Sequence, residues 1–213
     1  MALTDGTTLL AESLFDCDKT LSRQLLRNLD FLLHGAGLSI DALDGIGVSL
    51  GPGSFTGLRV GAATAKGLAL AANKPVVGFS SLAMLAMNLP WAAYQVCPML
   101  DARKKEVYTA LYRCRELPEL LHTDCVLSPD LFLEKITRNT IFVGSGALKY
   151  RDLITEKLGS MAVFAPPCCH YPRASAGSLL ANAAFASAED LPISELNPVY
   201  IRSSEAEVAK LAK

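Results

Sequence analysis

The segment 51–59, with the sequence GPGSFTGLR, constrains the fold of this chain more than any other. A short apolar run, residues 46–50, precedes it, and a run rich in Ala and Gly continues from it to Ala72. This order predicts a buried strand, a tight turn and a helix over about 55–72, followed by a second strand at 76–79. Because a strand–helix–strand unit joins parallel strands through a right-handed crossover, we predict an α/β fold.

The glycine loop resembles a phosphate-binding loop only superficially. A Walker loop needs a lysine directly after its last glycine, to reach the terminal phosphates. Leu58 holds that position and Arg59 follows it, while Pro52 lacks the backbone N–H that would bind an anion. We therefore interpret the loop as a tight turn, with Ser54, Thr56 and Arg59 as candidate anion or nucleotide contacts at the helix N-terminus.

The predicted helix after the loop carries a ridge of small residues at every fourth position: Gly57, Gly61, Ala65 and Ala69. Residues at this spacing lie on one side of a helix and allow another backbone to approach closely. Glycine inside a helix costs about 1 kcal/mol relative to alanine, so the close approach must outweigh that cost. The ridge packs either on the chain's own sheet or on a partner helix, and the spacing alone does not decide between them.

Composition excludes several classes of function. The chain of 213 residues is 51% apolar and 19% charged, with a net charge of −1. This is typical of a globular protein, and no Lys/Arg run suits a phosphate backbone. We predict no tight, autonomous nucleic-acid binding, although folding can still assemble a basic patch. Since no signal peptide or membrane segment is visible, we expect a cytoplasmic protein without membrane contact.

Catalytic machinery is not evident. The six cysteines show no Cys-x-x-Cys pair and are typical of reduced thiols. The three histidines, His34, His122 and His170, form no metal-binding motif. One charged cluster is either a site or a hairpin loop with internal salt bridges, and it consists of Asp101, Arg103 and Glu106. We predict no catalytic residue, metal or cofactor.

The remaining pattern predicts two α/β lobes, 1–92 and 93–213. A turn at Asp5-Gly6 precedes a strand at 7–11, but too few residues lie before the turn for a full partner strand. A helix follows over about 20–35. The second lobe begins with strands at 96–100 and 106–112, adds a strand at 141–144, and contains an alanine-rich helix at 175–187.

Five motifs, in order along most of the chain, resemble the TsaB (YeaZ) family: residues 51–61 (GPGSFTGLRVG), 67–69 (GLA), 77–82 (VGFSSL), 101–108 (DARKKEVY) and 198–202 (PVYIR). The resemblance implies two lobes of ribonuclease H-like topology, as in the actin-like/Hsp70-like ATPase superfamily. It implies a non-catalytic subunit in the synthesis of N6-threonylcarbamoyladenosine at position 37 of ANN-decoding tRNAs. The implied partners are the catalytic homologue TsaD and the ATPase TsaE, with a homodimer in isolation and tRNA contacted only indirectly.

The resemblance also implies where partners dock, namely on the two N-lobe helices, residues 20–35 and 57–72. On these helices and the loop before the second, the candidate partner contacts are Thr20, Leu21, Gln24, Phe55, Gly57, Leu58, Gly61, Ala65 and Ala69. The competing hypothesis is an enzyme, either a metallopeptidase or a small-molecule kinase of the actin-like superfamily. It predicts bound metal or ATP hydrolysis by the chain alone.

The chain departs from the family pattern at its start. Members normally begin with an apolar strand and an Asp-Thr-Ser turn, so about the first fifteen to twenty residues of that pattern are lacking before the turn at Asp5-Gly6. We therefore expect an N-lobe without most of its first strand, with either a natural start upstream of Met1 or a destabilised lobe. The histidine often found near the start of the first helix is replaced by Lys19-Thr20.

Overall fold

The computed structural model describes residues 1–15 and 24–201, which form a mixed α/β fold. Within these residues the strands are β1 (Ala2–Asp5), β2 (Thr8–Glu12), β3 (Ile46–Gly51), β4 (Val76–Ser80), β5 (Gln95–Asp101), β6 (Val107–Cys114), β7 (Pro118–Leu127), β8 (Thr140–Val143) and β9 (Ala162–Phe164). The α-helices are α1 (Leu25–Gly35), α2 (Phe55–Ala72), α3 (Ser81–Ala86), α4 (Pro129–Leu133), α5 (Ser145–Lys149), α6 (Arg151–Leu158) and α7 (Ala174–Ala186).

The chain divides into two compact units. The first contains the described part of Met1–Leu50 together with Thr56–Ser80 and Arg173–Pro198. The second contains Gly51–Phe55, Ser81–Pro172 and residues 199–201. Helix α3 lies in the second unit and α7 in the first. The two lobes, 1–92 and 93–213, stay a prediction.

A five-stranded sheet in the order β7-β6-β5-β8-β9 forms the second unit. Strands β5, β6 and β7 are antiparallel neighbours, and β8 and β9 continue the sheet in parallel with β5. Helices α4, α5 and α6 supply apolar side chains to its core, which includes Cys97, Phe132, Phe142 and Ile154. Strands β7 and β9 were not among the predicted ones, because β7 carries exposed polar residues and β9 has only three residues.

The first unit contains two separate two-stranded sheets, β1–β2 and β3–β4. The β1–β2 pairing corrects a sequence prediction, because Ala2–Asp5 does form a strand opposite β2. Gly6 in the turn has a φ of 53°, which favours glycine. In the second sheet the N–H of Ile46 donates to the carbonyl of Pro75 at 3.0 Å, so β3 and β4 start at the same end, as parallel strands do.

Helix α7 packs against both sheets of the first unit. Asn182 donates to the carbonyl of Gly6 in the β1–β2 turn at 2.5 Å. A Cβ added at Gly47 of β3 would lie 2.6 Å from the Cβ of Ala181, so the helix and the strand approach too closely for a side chain there. Helix α7 therefore holds the two sheets of this unit against one element.

The carboxylate of Glu12 anchors the start of α7. Its Oε1 accepts hydrogen bonds from the N–H of Ser175 at 2.9 Å and from the Ser175 hydroxyl at 2.7 Å. Its Oε2 accepts from Arg173 at 2.6 Å. Burial raises the pKa of Glu12, but the hydrogen bonds from Ser175 and Arg173 outweigh it, so the pKa lies below the ordinary glutamate value.

We expect Glu12→Gln to lower the free energy of unfolding at pH 7 by about 1 kcal/mol, because the neutral amide replaces a charged acceptor at a partly exposed site. A depressed folded-state pKa stabilises the fold above the unfolded pKa, and this stabilisation is lost as the pH falls through the folded value. The difference between the two proteins, measured by urea unfolding, should therefore shrink below the reference value of 4.5. The exposed Glu156→Gln is the control, and a Glu12→Gln difference that stays constant down to pH 3 would contradict this role.

Candidate docking site

The glycine loop is a tight connection between β3 and α2. Gly51, the last residue of β3, has a φ of 126° and precedes a cis peptide bond to Pro52. Both residues are buried, and α2 begins three residues after Pro52, at Phe55, which confirms the predicted helix bounds. The side chains predicted to contact an anion are all exposed here: Ser54, Thr56 and Arg59. Anion binding by these three residues stays a prediction.

One side of α2 faces the core of the first unit. Ala62, Ala65 and Ala69 are buried there with Leu50 of β3 and Val76 of β4. The second half of the predicted ridge therefore packs on the chain's own sheet, which was one of its two alternatives. Burial removes Ala65 and Ala69 from the exposed surface of the chain.

The other sides of α2 contain glycines that the packing of residues 1–15 and 24–201 does not require. Within the described part of the chain, a Cβ added at Gly61 or at Gly67 would meet nothing within 4 Å. Gly57 is exposed and Leu58 is half-buried. Leu70, near the end of the helix, is 66% exposed. Gly57 and Gly61 lie on one side of the helix and are small enough for close contact with another backbone, whereas Leu70, nine residues after Gly61, lies on the opposite side.

The N-terminal end of α2 adds an aromatic residue. Phe55 is exposed, and its ring lies 4.9 Å from the ring of Tyr200, measured between centroids. Tyr200 belongs to the predicted motif at 198–202. The structure thus brings the last motif into contact with the first.

Helix α1 is apolar on more than its buried side. Leu32 and Leu33 are buried, and the helix packs on β1 and β2. Leu26 and Phe31 are 59% and 76% exposed. The sequence prediction missed these two and Leu70, although a leucine or phenylalanine on the outer side of an amphipathic helix is a visible signal.

Of the predicted contacts on the first helix, only one can be located. Gln24 is exposed and directly precedes α1. Thr20 and Leu21 lie outside the described residues, as does the predicted start of the helix.

The other candidate residues have structural contacts. His170 is buried, accepts from the N–H of Gly144 at 3.0 Å and lies 3.0 Å from the carbonyl of Ala165. His122 packs edge-on against Phe132, with centroids 5.4 Å apart. Among residues 1–15 and 24–201, no three His, Cys, Asp or Glu side chains are grouped so that they could hold a metal ion.

The charged cluster at 101–106 organises the β5–β6 connection. Asp101 accepts from the N–H of Arg103 at 3.0 Å and from Lys149 at 2.9 Å. The N–H of Glu106 donates to the carbonyl of Arg103, which closes the turn. The ion pair of Asp101 is with Lys149 of α5, outside the loop, so the internal salt bridges that the sequence allowed stay a prediction.

The buried thiols are poor nucleophiles. Burial raises the pKa of Cys97 to about 12, and that of Cys114 to about 12 as well. Cys168 and Cys169 lie with their sulfurs 3.9 Å apart and are not bonded.

None of the helices in the described part of the chain has both the length and the apolar character needed to cross a membrane.

Comparison with known proteins indicates the class of protein to which this fold belongs. Residues 16–210 match the family model described as TsaD: tRNA N6-adenosine threonylcarbamoyltransferase. Together with the mixed sheet, this match fits an actin-like, ribonuclease H-like α/β fold.

Two bacterial relatives and a solved structure narrow the class. The tRNA threonylcarbamoyladenosine biosynthesis protein TsaB of Bacillus subtilis (strain 168) is 30% identical, over 97% of this chain and 90% of its own. TsaB of Escherichia coli (strain K12) is 30% identical, over 89% of this chain and 84% of its own. The structure of YeaZ from Pseudomonas aeruginosa is 29% identical, with a TM-score of 0.72 over 84% of this chain and 83% of that one. The chain belongs to the TsaB/YeaZ family.

The open glycines of α2 can be tested in the chain alone. We expect Gly61→Ala to raise the free energy of unfolding by up to about 1 kcal/mol, because alanine favours the helix and its Cβ meets no other atom. The same substitution at Gly47 should lower it, since the new Cβ would lie 2.6 Å from that of Ala181. Urea unfolding followed by circular dichroism measures both changes. A loss of stability in Gly61→Ala would show that the chain itself needs this glycine.

Proposed function

We propose that this chain is a non-catalytic subunit of the assembly that makes N6-threonylcarbamoyladenosine at position 37 of ANN-decoding tRNAs. The names of its B. subtilis and E. coli relatives place those proteins in the biosynthesis of threonylcarbamoyladenosine on tRNA. The protein works in the cytoplasm, where it pairs with a TsaD-like catalytic subunit that a TsaE-like ATPase joins. Alone, it forms a homodimer through the same helices.

The observation that carries this proposal is the pair of helical glycines, Gly61 and Gly67, with open space where a Cβ would be. Each glycine destabilises the isolated helix, and none of the described residues packs where its Cβ would be. A partner backbone that approaches at Gly57 and Gly61 supplies the missing contact. Exposed Phe31 of α1, the other predicted docking helix, is apolar area of the kind that subunit interfaces bury.

The roles of this chain and of its TsaD-like partner follow from the same features. The predicted N-lobe, residues 1–92, provides the docking helices, and the lobe 93–213 completes the ribonuclease H-like pair. The contacts of His170 and Asp101 within the second unit support a structural rather than a catalytic use of these side chains. Most tRNA contacts and the transfer chemistry fall to the partner, and the chain itself needs no cofactor.

Docking is tested by placing a large charged side chain at the open glycine. We expect Gly61→Arg to reduce co-purification with an affinity-tagged TsaD-like subunit at least about tenfold, because the arginine prevents close helix contact and leaves a charge to desolvate. Size-exclusion chromatography should show the same loss for the homodimer. Circular dichroism should be unchanged, since the position is open in the chain alone.

Ser160→Arg is the matched control, since it adds the same side chain at an exposed position in the second unit. Ala65→Arg is unsuitable, because Ala65 lies in the core and the variant would lose stability rather than only its partner. Undiminished co-purification of Gly61→Arg would overturn this docking surface.

A further inference from the structure

One end of the five-stranded sheet forms a cavity of about 520 Å³ that the docking role does not use. Strand β6 ends there, and β5, β7 and β8 begin there, because β6 runs antiparallel to both of its neighbours. Gln95 and Thr140, at the starts of β5 and β8, are hydrogen-bonded at 2.8 Å. The residues just outside these strand ends line the cavity.

Arginines from two separate turns meet at this cavity. The turn between β6 and β7 supplies Arg115 next to Arg113, the penultimate residue of β6, and Arg138 comes from the residues just before β8. Arg113 is paired with Glu119, at 3.0 and 2.9 Å. Among the described residues, the side chains of Arg115 and Arg138 make no hydrogen bond or ion pair, and no acidic residue lines the cavity.

Aromatic side chains complete the lining. Trp91 is 71% exposed and Tyr94 is 43% exposed. Trp91 has a φ of 57°, a conformation that bulky residues rarely adopt. Strained residues persist where function or the surrounding structure requires them, and an exposed indole stabilises no core. The cavity therefore combines uncompensated guanidinium groups with accessible aromatic faces.

We propose that this cavity binds unpaired nucleotides of RNA, with a base stacked on Trp91 or Tyr94 and the phosphates held by Arg115 and Arg138. Aromatic faces stack on unpaired bases of any sequence, and guanidinium groups bind phosphate through two hydrogen bonds. The inference extends the proposed function, since the assembly acts on tRNA. It gives this chain a direct RNA contact in addition to those of its partner.

RNA binding can be followed by intrinsic fluorescence, because Trp91 is the single tryptophan of the sequence. We expect an unstructured ten-nucleotide RNA to quench the fluorescence of the full chain. Each phosphate contact on a single strand contributes about −0.7 to the slope of log K against log[salt], so two contacts predict a slope of about −1.4.

The double variant Arg115→Ala/Arg138→Ala should bind the same RNA at least about tenfold more weakly and with a shallower salt slope. Lys105→Ala is the control: it removes one positive charge from the β5–β6 connection, at the opposite end of those strands, and should change binding less than about twofold. Circular dichroism confirms that both variants are folded.

Three results would overturn the proposal. The first is the lack of quenching by RNA at low salt. The second is equally tight binding of a mononucleotide, which would indicate a small-molecule site. The third is equal competition by polyglutamate, which would indicate an acidic protein partner.

The experiments can disprove the docking surface and the RNA site independently of each other. The titration uses the chain without TsaD, so it does not depend on pairing. Arg115→Ala/Arg138→Ala should still co-purify with the TsaD-like subunit, and Gly61→Arg should still show quenching by RNA. Loss of both properties in either variant would contradict the separation of the two sites.

Discussion

The close packing of α2 on β3 and β4 determines which surface the first unit presents. Ala62, Ala65 and Ala69 are at most 5% exposed, so only methyl groups separate the helix from its sheet on this side. The sheet is shaped to match, because Gly78 of β4 leaves the space that the side chain of Leu50 fills. Any larger residue at these positions would push the helix outward or rotate it. The rotation of α2, and with it the position of its glycines, depends on this contact.

That rotation explains why the small-residue ridge has two roles. Residues four apart in a helix advance by about 40° around its axis, because each residue turns the helix by about 100°. From Gly57 to Ala69 the ridge therefore turns by about 120°, from the exposed surface into the core. The spacing in the sequence was correct, but a straight ridge was not the right geometry. A partner that docks at Gly57 and Gly61 would contact the edge of the α2 surface and not its buried side.

The sequence predicted the helices and strands best where glycine or proline residues bound a segment with a clear apolar pattern. Helix α2 was predicted with its observed bounds, since the proline and glycines before it and Lys74-Pro75 after it leave little choice. Strand β7 was missed because Glu119, His122 and Asp124 interrupt the apolar pattern, and its pairing with β6 is a tertiary effect. The few residues before the Asp5-Gly6 turn do not predict strand β1, yet antiparallel pairing and contact with α7 stabilise even four residues.

The basic cavity could not be predicted from runs of charged residues in the sequence. Arg115 and Arg138 are too far apart in sequence to form a run, and 20 basic residues against 21 acidic ones hide any local excess. The register of the sheet brings them together, because the end of β6 lies beside the start of β5, which pairs with β8. A nearly neutral chain can thus present a positive surface wherever its acidic residues lie elsewhere. Net charge limits how strongly such a protein binds RNA by itself. Net charge does not decide whether an assembly uses the protein to hold a few nucleotides.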